Sequence, residues 1–318
     1  MEIRQLRYFV KIIEHGSMGR AAAELGTTTA TLSQQVSRLE GQLATRLLLR
    51  RATGVQATEA GLTLFQQAQL ILRQLDNATN LVQKGRLTGT VSVGLAQSTA
   101  AMLSVPFIAT MGERYPGIRL RLFEGLSANL LSLLNTRRID LAILFDDHEA
   151  RRWSAVPLLQ EELLLVGAPG LPGMPTGPQV SVEEIADLPL LIPSAPHTLR
   201  TLTFEAFHKK KLEPRVAAEI DGLSILLNAV RAGLGASIQP GSAIAGANGA
   251  GLIVTQLASP RLLRASHLAS LSDDELSPAA LAARVVLGSV ARSLVLEGKW
   301  HGATLADGAV SACAGRGD

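Results

Sequence analysis

The chain has one cysteine, Cys313, set in a tail rich in glycine and alanine. A lone thiol closes no internal disulfide, which points to a reducing compartment. Long apolar runs are missing too. No uninterrupted stretch approaches the roughly 18 residues of a membrane span. Lys11, Glu14 and His15 break the region where a signal peptide would carry its apolar core. A cytoplasmic protein with no membrane partner is therefore expected. Catalytic signatures are absent: there is no G-x-S-x-G elbow, Walker loop, G-x-G-x-x-G or H-E-x-x-H. The histidines are scattered. Asp146-Asp147-His148 is the only acidic–histidine cluster, and three consecutive side chains do not readily face one ion, so it reads as a solvated loop. No enzyme activity, metal or cofactor is expected.

What is present divides along the chain. At 318 residues and 47% hydrophobic, the sequence has length for two or three units and apolar content for sizeable cores. Residues 1–58 carry eight Lys/Arg against four Asp/Glu, residues 59–88 three against two, and residues 89–318 nineteen against twenty-one. The basic excess sits at the N-terminus, where a polyanion would bind.

Leu6, Phe9, Val10 and Ile13 fall on one face of a helix over about 3–14, ended by Gly16. Ser17 can cap a second helix carrying Met18, Ala21, Ala22 and Leu25, which Gly26 stops. Thr27 or Thr28 can cap a third, with Leu32, Val36, Leu39 and Leu43 as its buried face. The opposite face offers Thr28, Thr29, Ala30, Ser33, Gln34, Ser37 and Arg38, with no acidic residue among them. Such a face suits a major groove: Gln pairs with adenine edges, hydroxyls serve bases or phosphates, and methyls touch thymine. Leu47 to Val55 reads as a β-wing turning at Thr53-Gly54, with Arg50 and Arg51 directed to phosphate or the minor groove. The alternative is a structural three-helix bundle whose polar face is only solvated.

Between Glu59 and Lys84 there is no proline, and Leu64, Ala68, Ile71, Leu75, Ala78 and Val82 form an a/d seam. A helix of about 40 Å is expected. It would pack on its own domain or pair with the same helix of a second chain, the latter presenting two recognition helices to successive grooves.

Past a hinge at 85–89, apolar strands alternate with amphipathic helices. Strands are expected at 91–95, 118–122, 140–145, 163–167, 190–192, 216–220 and 236–239, and helices near 102–111, 126–134, 198–210, 223–232 and 277–296. That order argues for an α/β fold with largely parallel sheets, long enough for two subdomains. Ligands settle at the carboxyl ends of strands in such sheets. The residues there are Ser98, Thr99, Ser127, Phe145, Ser194, His197, Thr198 and Leu223; each could instead be an ordinary cap or core residue. Lys209-Lys210-Lys211 is a charge run at a helix end, and the tail from 301 to 318 is expected to be unstructured.

The N-terminal stretch Phe9-Val10, Gly16-Ser17, Ala21-Ala22, Leu32-Ser33-Gln34-Gln35-Val36, Leu39-Glu40, Leu47-Leu48, Arg50 and Thr58-Glu59-Ala60-Gly61 resembles the LysR-type transcriptional regulators, most closely their nitrogen assimilation control branch. In that family Gln-Pro usually stands where this chain has Thr29-Ala30. Ile139-Asp140-Leu141-Ala142-Ile143 and Val230 to Ile238 resemble the same family's effector domain, which is similar to type II periplasmic binding proteins. The resemblance implies a winged helix-turn-helix at 1–58, a dimerising linker helix and hinge at 59–88, and an effector-binding and oligomerising domain at 89–300. It further implies a homodimer or homotetramer on a promoter inverted repeat and contact with RNA polymerase, the C-terminal domain either sensing a small metabolite or setting the spacing of the DNA-binding pairs; the hydroxyls and N–H groups at the Ser98-Thr99 helix start would suit an anionic effector. The rival reading is a small-solute-binding protein whose N-terminal helices are a dimerisation module.

Overall fold

The computed structural model describes residues 1–51, 54–84, 87–145, 153–271 and 275–306. The chain divides into two compact units, Met1–Gly89 and Thr90–Asp318.

In the first unit, helix α1 (Ile3–His15) ends where Gly16 takes a left-handed φ of 59°. Helix α2 (Met18–Glu24) starts at Ser17, whose hydroxyl accepts from the Arg20 N–H, and α3 (Thr29–Leu43) at Thr28, whose hydroxyl accepts from the Thr31 N–H at 3.1 Å. These caps satisfy donors that a helix start leaves open. Phe9, Ile12, Ala21, Leu32, Val36 and Leu39 close one core between the three helices. Leu43 is not part of it: 40% exposed, it lies one turn beyond the reach of α1 and α2. Strands β1 (Leu48–Arg51) and β2 (Gly54–Ala57) pair antiparallel as the wing, whose intervening residues Ala52 and Thr53 lie outside the described residues. The wing is tied down twice. The Glu40 carboxylate accepts from the N–H groups of Leu47 and Leu48, and the Val55 N–H donates to the Gly16 carbonyl.

Helix α4 (Glu59–Lys84) follows. Its first turns lie on α1: Ala68 is fully buried among Leu6 and Val10, with Leu64, Phe65 and Leu72 against them. The seam predicted for a partner is therefore divided. Leu64 and Ala68 face their own domain because α1 presents an apolar stripe there, whereas Ile71 is 40% exposed and Leu75 half-buried. The side chains of Ala78 and Val82 lie outside the described residues.

The second unit contains strand β3 (Gly89–Ala96), helix α5 (Gln97–Arg114), β4 (Ile118–Gly125), α6 (Ser127–Asn135), β5 (Leu141–Leu144), β6 (Ser154–Gly167), β7 (Gln179–Ser181), β8 (Leu190–Ile192), α7 (Thr198–Lys209), β9 (Val216–Glu219), α8 (Leu223–Arg231), β10 (Ser237–Pro240), β11 (Ile253–Ser259), β12 (Leu263–Ser270), α9 (Pro278–Leu296) and β13 (Ala303–Leu305). The long strand β6 belongs to two subdomains. Residues 154–162 pair with β12, which continues through β5 and β3 to β4; residues 163–167 pair with β10 and β11. β3 pairs parallel with β5, β7 with β11 and β8 with β9, and Leu190 bridges Ala236 in parallel, while every named partner of β6 is antiparallel. The largely parallel sheets expected from strand–helix alternation are thus mixed, because β12 follows β11 with no helix between them and both return antiparallel to β6.

Helix α9 is long and apolar enough to cross a membrane by composition alone. Ala280, Ala283, Val286, Leu287 and Ala291 on one face are buried in the core, which accounts for that composition. After α9, Trp300 is 3% exposed and β13 pairs with β6. The segment expected to be unstructured from 301 is ordered through Ala306, since its backbone donors and acceptors find β6; residues 307–318 lie outside the described residues.

Candidate nucleic-acid interface and small-molecule cleft

In the first unit, one face of α3 packs inward and the other is open. Thr28, Thr29, Ala30, Gln34, Ser37 and Arg38 are exposed and Ser33 is half-buried. Thr28 Oγ1 accepts from the Thr31 N–H in the cap, so its capacity to accept from another donor is reduced. Arg51 is exposed on β1; Arg50 lies on the same strand, its side chain outside the described residues. These residues share one unit with a common core, so the helix face and the wing strand are fixed relative to each other. Gly61 makes the junction with α4 possible, since a Cβ there would stand 2.1 Å from the Leu47 carbonyl oxygen. The Gly61 N–H instead donates to Thr58 Oγ1, whose hydroxyl donates to the Arg46 carbonyl.

In the second unit, a cleft of about 340 Å³ opens between the subdomains. Four helices begin at it: α5 after β3, α6 after β4, α7 after β8 and α8 after β9. Of the residues predicted from strand ends, Ser98, Ser127, Phe145, His197, Thr198 and Leu223 line the cleft. Thr99 does not: it is buried behind Ser98 in the first turn of α5. Ser194 does not line it either. Its N–H and hydroxyl bind Asp221, which does line it, at 2.8 and 2.7 Å. These bonds hold the Asp221 carboxyl below the usual carboxylate range.

The most consequential residue was not foreseen. Arg264 of β12 lines the cleft at 3% exposure. One terminal nitrogen donates to Glu161 Oε2 at 2.5 Å and to Ser98 Oγ at 3.1 Å, and the guanidinium carbon sits 3.5 Å from the centre of the Phe145 ring. Glu161 is fully buried, and its other oxygen accepts from Trp300 Nε1 at 2.8 Å. Burial lowers the Arg264 pKa, and Glu161 opposes that shift. His197 caps α7 through Nδ1, which accepts from the Leu199 N–H at 3.1 Å. Its pKa is lowered chiefly by burial, then by the Arg264 charge, with Asp221 opposing. A signal for Arg264 existed in the chain, an arginine inside an otherwise small and apolar stretch, but Ser266 and His267 spoil the alternation that marks a strand.

Asp146-Asp147-His148 lies outside the described residues. Among the described residues, no group of three or more His, Cys, Asp or Glu side chains is placed to hold a metal.

Comparison with known proteins bears on both sites. Residues 3–62 match the model of the bacterial regulatory helix-turn-helix protein, lysR family, and residues 84–292 that of the LysR substrate binding domain. The chain is 35% identical over 301 residues to the nitrogen assimilation regulatory protein nac of Escherichia coli, covering 93% of this chain and 97% of that one. It is 33% identical to the protein of the same name from Klebsiella aerogenes, over 94% and 98%. The fold matches full-length OxyR of Pseudomonas aeruginosa with a TM-score of 0.71 at 24% identity, covering 92% and 98% of the two chains. It also matches full-length CbnR solved with its target DNA, with a TM-score of 0.62 at 21% identity, covering 92% and 100%. The two nac relatives are named as regulatory proteins, not as enzymes. With a helix-turn-helix and a substrate-binding domain matched in order along nearly its whole length, the chain belongs to the LysR family of DNA-binding transcriptional regulators.

Proposed function

We propose that α3 enters the major groove of a promoter inverted repeat, with Gln34, Ser33, Ser37 and Arg38 at base edges or phosphates and Arg50 and Arg51 on the flanking backbone or minor groove. The observation that carries this reading is the exposed, acid-free face of α3, held by a capped helix on a closed core. Two chains pair through the part of α4 beyond Ala68, where Ile71 is open, and dimers associate further into tetramers. The second unit senses a small molecule in its cleft, and the DNA-bound assembly meets RNA polymerase in the cytoplasm. A ligand shifts such an assembly only by binding one arrangement better than another. Nac, the relative named for nitrogen assimilation, supports a role in metabolic gene control.

The test is selection of fragmented genomic DNA on the purified chain, with Gln34→Ala alongside. Enrichment of a few promoter fragments sharing an inverted repeat is expected, with Gln34→Ala relaxing the site preference more than it weakens non-specific binding. Equal retention of all fragments at moderate salt would remove sequence-specific recognition.

A further inference from the structure

Ala96 and Leu126 stand at the N-cap positions of α5 and α6, and neither helix has a side-chain cap. Alanine and leucine are poor residues there, because they accept nothing from the open N–H groups of the first turn. Both helix starts face the cleft. The α7 and α8 starts are answered within the protein, by His197 and by Gln97 Oε1, which accepts from the Leu223 N–H at 3.0 Å. Arg264 supplies a second, independent sign. It is buried, it lines the same cleft, and its Nε has no hydrogen-bond partner.

We propose that the cleft takes a small monocarboxylate with an apolar body, the carboxylate resting between Arg264 and the first turns of α5 and α6. This deepens the sensing role proposed above and rests on it. The charge pattern selects the class. Among the described residues, Arg264 is the one charged donor lining the cleft, and Glu161 already neutralises it in part. A ligand's single negative charge is met by the remaining guanidinium N–H groups and the positive helix ends. A second carboxylate would meet Asp221, which Ser194 holds ionised, and would find no second cation among the described lining residues. The walls are apolar, from Leu126, Leu131, Leu144, Ile220 and Leu226, and leave a hydrophilic oxyanion such as sulfate most of its shell unmatched. Because Glu161 bridges Arg264 and Trp300, a carboxylate that draws on the guanidinium alters the environment of the Trp300 indole.

The experiment uses the full chain with Trp153→Phe, so that Trp300 is the only tryptophan. The probes are phenylacetate and 4-methylpentanoate; phenylacetamide, succinate and sulfate are compared at matched ionic strength. The two monocarboxylates are expected to change Trp300 emission saturably, and the other three to bind at least about tenfold more weakly, the margin of one charged hydrogen bond. The paired change Arg264→Gln with Glu161→Gln removes the charged donor without stranding a buried charge, and should lose at least about tenfold in affinity for both probes. Ser127→Asp keeps a helix-compatible residue at the α6 start but puts a negative charge where the carboxylate would sit, and should weaken both probes likewise. Tight binding unaffected by either variant overturns the placement. Preference for succinate or sulfate overturns the class while leaving a sensing cleft. No binding by any probe, in a protein that still selects promoter fragments, overturns this inference and leaves DNA recognition standing.

Discussion

Gly61 shows how much one missing side chain can carry. The first turn of α4 passes so close to the wing that a Cβ would stand 2.1 Å from the Leu47 carbonyl oxygen, and backbone cannot yield as a flexible side chain can. Gly61→Ala is expected to cost on the order of 1–3 kcal/mol, the range for overpacking a close contact, read as a lowered urea midpoint at unchanged m. His197 carries a different constraint. Its pKa is depressed by burial and by Arg264, so the folded state resists protonating it while the unfolded chain does not. A lowered folded pKa means stability that is full above the unfolded value of 6.5 and declines as pH falls below it. Thermal melts from pH 7.5 to 5 should show this loss, and His197→Gln should flatten that part of the profile; an identical profile in the variant would exclude His197 as its source. At this scale the sequence was legible where a residue's role is local. Ser17, Thr28 and Gly16 act where cap chemistry puts them. Arg264 and Asp221 were not legible, because their partners Glu161 and Ser194 lie 103 and 27 residues away.

Elements were legible when their apolar period was clean. Helices α1, α3, α7 and α8 lie close to where spacing put them, whereas β6 was seen only from Leu163 onward. Its first half contains Gln160-Glu161-Glu162, which reads as surface until the buried partners Arg264 and Trp300 are known. Strand β12 was hidden for the matching reason. Helix α4 was found at its full length, but one stripe served two surfaces, because periodicity says which residues share a face and not what covers it. The division sharpens the test of pairing. Leu64→Lys or Ala68→Lys would damage the monomer, since both pack on α1. Ile71 is 40% exposed within the chain, so Ile71→Lys leaves the fold intact, and it is expected to shift sedimentation from dimer to monomer at micromolar concentration. A dimer of unchanged affinity would move the pairing surface away from this part of α4.

At the scale of the whole molecule, two units with opposite charge balance divide the work. The N-terminal excess of Lys/Arg was readable from composition and points to the polyanion; the mildly acidic remainder need not touch it. Sheet direction was not readable, since strand–helix alternation cannot reveal that one strand returns to serve both subdomains. Charge also gives a quantitative handle on the DNA complex. If each chain of a dimer sets Arg51 against a phosphate, each contact releases counterions, and log K falls with log salt by about 0.9 per phosphate neutralised. Arg51→Ala is then expected to make the slope shallower by about 1.8 for the dimer, with weaker binding to every sequence at low salt. Fluorescence anisotropy on one operator fragment and one unrelated fragment, across a series of salt concentrations, reads both quantities. An unchanged slope with an altered preference between the fragments would instead put Arg51 in the minor groove, where it reads width and base composition; an unchanged slope with unchanged preference would take the wing out of the DNA contact altogether.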